Sequence, residues 1–228
     1  MDTAMLMRRH ANGFKKIAAE LNYSPNAVAR SLVMKRSRTI GLLVSEISRE
    51  GAKDNFTFEV LCGINDRAAE LDYDLILFNT NSAQQKVKSY TQLCRERKVE
   101  GAILQGLKTD DPYLEEVVES DIPCVMIDVP LTGNRVGYVT TDNVEGARKA
   151  VQYLIALGHE KIAMINGHEK AYVSKKRREG YEAALEDNMI PLRSDWVLNG
   201  EFQEEHAERV AFDFFSSIPG CNGYVLCQ

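Results

Sequence analysis

The sequence predicts an α/β protein of two doubly wound parallel-sheet lobes, the second incomplete, preceded by a short helical arm. Three observations carry this. Continuous apolar runs recur from Ile40 onward, stretches of helical period lie between them, and the alternation restarts near Thr141. Continuous runs mark strands buried on both faces, and alternating strands and helices build right-handed βαβ units. The predicted divisions are 1–38, a helical segment, then 39–141 and 142–228, one lobe each.

In chain order, Phe14, Ile17, Ala18 and Leu21 fall at i, i+3, i+4 and i+7, which predicts a short amphipathic helix over 14–22. Ser24 as N-cap and Pro25 at the first helical position open a second one running to Leu32. Ile40-Gly41-Leu42-Leu43-Val44 is the first strand, and Leu75 to Phe78, Ala102 to Leu104, and Cys124 to Ile127 are the next three. Phe56, Val60, Leu61, Ile64, Ala68 and Leu71 make the clearest intervening helix. Val136 to Thr141 is a further strand, followed by a helix from Asn143 to Leu157 that Gly158 ends as its C′ residue. Beyond it, strands at Ile162–Ile165, Trp196–Leu198 and Tyr224–Cys227 alternate with helices at Lys175–Asp187 and Glu204–Phe215.

The net charge of −5 over 228 residues conceals an asymmetry. Residues 1–39 hold eight basic residues against Asp2 and Glu20, a local +6, so the remainder carries −11. A basic arm on an acidic body points to an anionic partner at one end, or to a solvated basic tail. At 44% hydrophobic and 27% charged residues, the composition is that of a globular chain. No run approaches the roughly 20 apolar residues of a membrane span, and Met1 to His10 lacks the apolar core of a signal peptide. A cytoplasmic protein with no membrane partner is expected. The five cysteines form no CxxC pair, which favours reduced core thiols over metal or disulfide roles.

The sequence carries no enzyme motif. Gly101 to Thr109 imitates a phosphate loop, but its Lys-Thr pair is displaced by one residue and Ile103-Leu104 belong to a strand. The four histidines are scattered without ligand spacing, and nothing calls for a cofactor. The arm carries more. Its second helix has about nine residues, too few to hold alone in water, so it orders when something packs on it. Val28, Ala29 and Leu32 are small and apolar, framed by Arg30, Ser31, Lys35, Arg36 and Arg38. An apolar residue framed by cations suits insertion between base steps of a minor groove. A linker helix packed on the body gives the same pattern.

Tyr23-Ser24-Pro25-Asn26-Ala27-Val28-Ala29-Arg30-Ser31-Leu32, followed by Arg38-Thr39-Ile40-Gly41-Leu42-Leu43-Val44, resembles the hinge helix and first core strand of the lac repressor family of bacterial transcription regulators. Leu154 to Ile162 and Arg177-Arg178-Glu179-Gly180-Tyr181 are similar to further family signatures in the same order. The resemblance implies a homodimeric, ligand-responsive repressor with a core of the periplasmic sugar-binding type. Paired hinge helices would enter the operator's minor groove, with Leu32 as wedge, Ala29 allowing close approach, and Ser24, Asn26 and Arg30 beside them on the DNA. The family's helix-turn-helix, expected before residue 14, has no counterpart in Met1 to Asn12. The Asn-Asp pair that follows the last strand in relatives would lie beyond Gln228, so a chain truncated at both ends is expected.

A small effector, sugar or nucleoside-like, would sit between the lobes, and the resemblance carries over four contacts. Phe56 would cover the ligand as an aromatic, though it also reads as a core residue. Asp128 ends a strand, where open α/β sheets bind ligands. Arg177 would fork onto hydroxyls or a carboxylate, against a plain reading as one charge in Lys175-Lys176-Arg177-Arg178. Trp196 would stack on the effector, or fill the core. The alternative function is a ligand-binding module of the same fold that does not read DNA sequence.

Overall fold

The computed structural model describes residues 17–18, 20–23, 33, 36–45, 55–80, 88–218 and 223–226. Two compact units emerge, residues 1–38 and 39–228. In the first, Ile17, Ala18 and Glu20 are helical, and the turn closes with Leu21 N–H donating to Ile17 O at 3.0 Å and Tyr23 N–H to Ala18 O at 2.8 Å. Ile17 and Leu21 are exposed there. Ser24, Asn26, Ala29, Arg30 and Leu32 lie outside the described residues.

The second unit holds two parallel sheets. The first orders β2-β1-β3-β4-β5, from strands β1 (Thr39–Ser45), β2 (Asp74–Thr80), β3 (Gly101–Gln105), β4 (Cys124–Ile127) and β5 (Val136–Val139). The second orders β7-β6-β8, from β6 (Ile162–Asn166), β7 (Val197–Asn199) and β8 (Gly223–Leu226). Helices α1 (Asn55–Glu70), α2 (Tyr90–Arg97) and α3 (Leu114–Glu119) connect the first sheet. Helices α4 (Asn143–Ala156), α5 (Tyr172–Asp187) and α6 (Glu204–Ser217) serve the second. Every strand pair is parallel, because each return passes through a crossover. The first five residues of the phosphate-loop imitation are strand β3, as its apolar run implied.

Each sheet has its own core. Leu43, Leu104, Met126 and Val117 are buried in the first, with Tyr90 and Cys94 from α2. In the second, β6 is buried at all five residues and alternates its partners. Ile162 and Met164 pack with Val151, Tyr181 and Leu185, while Ala163 faces Trp196 and Phe214 on the other side. That two-sided burial is why the strand reads as an unbroken apolar run. Burial also pushes the Cys94 thiol up to about 11 and the Cys124 thiol up to about 12, so both are protonated core groups.

Two details explain the sequence signatures. Gly158 has φ of +89° and closes a Schellman motif: its N–H donates to Ile155 O at 2.9 Å, and His159 N–H to Leu154 O at 3.1 Å. In the Arg-x-x-Gly-Tyr run of α5, Gly180 lies against α4, where a Cβ would meet Val144 O at 2.0 Å. Tyr181 is buried and its hydroxyl donates to Ile162 O at 2.8 Å, tying α5 to the start of β6. The motif is a packing device that also holds Arg177 one turn away.

Candidate functional site

The carboxyl ends of the two sheets face each other. The loop after β3 meets the loop after β6: Thr109 N–H donates to Lys170 O at 2.9 Å, and Lys170 Nζ bonds Asp110 Oδ2 at 2.5 Å. β3 and β6 are the central strands of their sheets, so these loops and the crossover at residues 140–142 lie at the carboxyl ends of the strands, where open α/β sheets hold ligands.

Asp128 stands at that end, one residue past β4, with φ of +62°. Aspartate tolerates this left-handed conformation better than most residues. Its N–H donates to Val139 O at 2.9 Å and its Oδ1 accepts from Thr140 Oγ1 at 2.8 Å. Thr140 in turn accepts from Asn143 Nδ2 at 3.4 Å, and Asn143 Oδ1 accepts from Arg177 Nε at 3.0 Å. Asn143 is buried and also donates to Thr141 O at 3.1 Å. A polar chain therefore runs Asp128, Thr140, Asn143, Arg177, from the first sheet through the crossover to α5, and brings two of the four expected contacts into one network.

Phe56, the second residue of α1, is half exposed. Its neighbour Thr57 accepts from Gln105 Nε2 at 3.2 Å, and Gln105 is the buried last residue of β3. That bond sets the start of α1 at the carboxyl end of the sheet, where Asp128 lies. Trp196 is elsewhere. It closes a 3-10 turn (Ser194–Trp196) ahead of β7, not within a strand as expected, and so precedes the carboxyl end of the second sheet by the length of β7. It is 5% exposed, edge-to-face with Phe214 at 5.8 Å, and the Arg193 guanidinium lies 4.7 Å from its ring centre. The structure does not bring Trp196 to the cleft end.

The aromatic at that end is Phe202, just past β7. It is 39% exposed, stands edge-to-face with His168 at 5.5 Å, and occupies the space over Gly167. Both Glu201 and Phe202 have positive φ, 55° and 57°, a costly conformation for non-glycine residues that turns the ring back over the loop after β6. Thr140, Asn143 and Phe202 were missed in the sequence. The first two read there as strand end and helix start, and the turn at Phe202 holds non-glycine residues at positive φ. Among the described residues no group of acidic, histidine or cysteine side chains is placed to hold a metal ion, and no helix is long and apolar enough to cross a membrane.

Comparison with known proteins agrees with this architecture. Residues 37–228 match the family model for periplasmic binding proteins and the sugar binding domain of the LacI family. The chain is 33% identical over 198 residues to the HTH-type transcriptional repressor PurR of Vibrio parahaemolyticus, covering 86% of this chain and 58% of that one. A putative transcriptional regulator LacI from Bacillus cereus subsp. cytotoxis matches with a TM-score of 0.73 at 27% identity, over 82% of this chain and 67% of that one. A complex of the transcriptional regulator CelR with cellobiose matches with a TM-score of 0.70 at 26% identity, over 93% and 63%. The chain thus spans a little over half the length of the curated relatives it matches. With that family model extending from the residues before β1 through β8, the chain belongs to the LacI family.

Proposed function

We propose that this chain is the effector-binding core, with hinge, of a repressor-type transcription regulator, and that a sugar or nucleoside-like effector binds between its lobes. The observation that carries the reading is the polar chain Asp128, Thr140, Asn143, Arg177 at the carboxyl ends of the strands. A carboxylate acceptor and a guanidinium donor oriented at one cleft end suit a polyhydroxylated ligand. Phe56 and Phe202 supply apolar faces for a sugar or base ring, and Phe202 takes the stacking role that the resemblance assigned to Trp196. Residues 1–38 serve as hinge and helical segment, and 39–141 and 142–228 as lobes. The chain works as a homodimer in the cytoplasm, without catalysis.

Thermal unfolding against a panel of monosaccharides, cellobiose and purine nucleosides tests the site. At least one member is expected to raise the midpoint, and Phe202→Ala to weaken its binding about tenfold, the loss typical of a stacking contact. Trp196→Phe is expected to leave that affinity nearly unchanged. No stabilisation by any class would overturn the effector reading.

For DNA, Ala29, Arg30 and Leu32 are proposed at the minor groove, with Ser24 and Asn26 on the backbone. Binding of a duplex, followed by fluorescence anisotropy, is expected to be poorly sequence-selective and to weaken about fiftyfold between 50 and 200 mM salt, as for neutralising some three phosphates. Affinity indifferent to salt contradicts this. The alternative, a ligand-binding module of the same fold that does not read DNA sequence, would then stand.

A further inference from the structure

Besides the single chain crossing at residues 140–142, the two lobes meet at the loops after their central strands. Thr109 N–H and Thr109 Oγ1 both bond Lys170 O, at 2.9 and 3.0 Å. Lys170 Nζ bonds Asp110 Oδ2 at 2.5 Å, and Lys175 Nζ reaches Thr109 Oγ1 at 3.3 Å. All four contacts join partners about 60 residues apart in sequence.

Neither loop is slack. On the first lobe, Asp111 anchors the loop: its Oδ2 accepts from the hydroxyl of Tyr90, which is 2% exposed, and its Oδ1 from Tyr113 N–H at 2.9 Å. Asp111 N–H closes the turn onto Lys108 O at 3.1 Å. On the second lobe, buried Asn166 braces the loop from both sides, accepting from Gly167 N–H at 3.0 Å and donating to Ser174 O at 2.8 Å. Ala171 N–H closes that turn onto His168 O at 3.1 Å. Each contact is exposed and individually weak. Mounted on two braced turns, they act together, because separating the lobes breaks all of them at once.

We propose that Thr109, Asp110 and Lys170 form a latch between the lobes that holds them together and sets how often they part. Its bearing on effector traffic rests on the function proposed above, whereas the latch itself needs no ligand. Parting of the lobes exposes the Thr109 amide to solvent, so hydrogen exchange at that amide reads the latch directly. Asp110→Lys sets two ammonium groups against each other. It is expected to speed exchange at Thr109 roughly fivefold, the scale of an exposed pair lost and replaced by repulsion.

The double variant Asp110→Lys with Lys170→Asp restores opposite charges and is expected to return exchange to the original rate. It keeps the same neighbour beside Thr109, so the comparison isolates the pairing from local effects on the amide. Ala102 N–H, which donates to Pro123 O within the first sheet, serves as the folding control and is expected to be unchanged throughout. Equal exchange at Thr109 in the single and double variants overturns the latch. Failure of every sugar and nucleoside to bind would overturn the effector reading and leave this result standing.

Discussion

Replacing Gly180 by alanine is expected to lower the thermal unfolding midpoint by about 6–12 °C. A Cβ at this position would lie 2.0 Å from Val144 O, 2.9 Å from the Val144 carbonyl carbon and 3.0 Å from the Ala147 methyl. Two of the three are backbone atoms inside a helix turn, which no rotamer change can move. The helices must part, loosening Val151, Tyr181 and Leu185 from β6. Overpacking of this kind costs up to about 3 kcal/mol, and each kcal/mol moves the midpoint about 2–4 °C in a chain of this size. Gly146, on the exposed side of α4 with nothing within 4 Å of its would-be Cβ, provides the opposite sign. Gly146→Ala is expected to stabilise by about 0.5–1 kcal/mol, because alanine removes glycine's entropic cost in a helix. Calorimetry on both variants checks the pair, and a neutral Gly180→Ala would show that α4 and α5 do not pack as closely as described.

Arg177→Leu is expected to weaken effector binding about a hundredfold, near 2.7 kcal/mol. The guanidinium is held by Nε on Asn143 Oδ1 at 3.0 Å, and Asn143 is itself fixed through Thr140 to Asp128. Losing the planar fork removes the donor that reads hydroxyls in pairs. Arg177→Lys keeps the charge without the fork and is expected to recover only part of the affinity. Asn143→Ala leaves the arginine in place without its bond to Asn143, with a loss of about tenfold. Titration calorimetry with the panel member that stabilises the protein most orders the three variants. Retention of full affinity by Arg177→Leu would remove Arg177 from the site.

The strands were the legible part of this fold. Those such as β1 and β6, buried on both faces, are written as unbroken apolar runs, which few other environments select. Helix α5 begins at Tyr172, ahead of the expected Lys175, because its N-cap, Ala171, makes no side-chain bond and so leaves no capping signature. Helices α2 and α3, with eight and six residues, are too short to show a period clearly. Of the candidate contacts, Asp128 was proposed because it ends a strand and Arg177 because it opens a motif, and the structure joins the two through Thr140 and Asn143. Phe202 was not, since its place depends on two non-glycine residues held at positive φ, a tertiary decision that leaves no local mark. Trp196 was assigned through the resemblance, which does not fix the end of a strand a residue occupies, and it precedes β7.

The placement of Trp196 has a spectroscopic consequence. It is the one tryptophan in the chain and is packed within the second lobe, edge-to-face with Phe214 beside Ala163, its indole N–H buried without a hydrogen-bond partner. Intrinsic emission excited at the indole band therefore comes from one lobe alone. It registers the melting of the second core and is blind to the first, whose aromatic residues are tyrosine and phenylalanine. Set beside circular dichroism, which sums both lobes, that single fluorophore tells whether the second lobe melts together with the first.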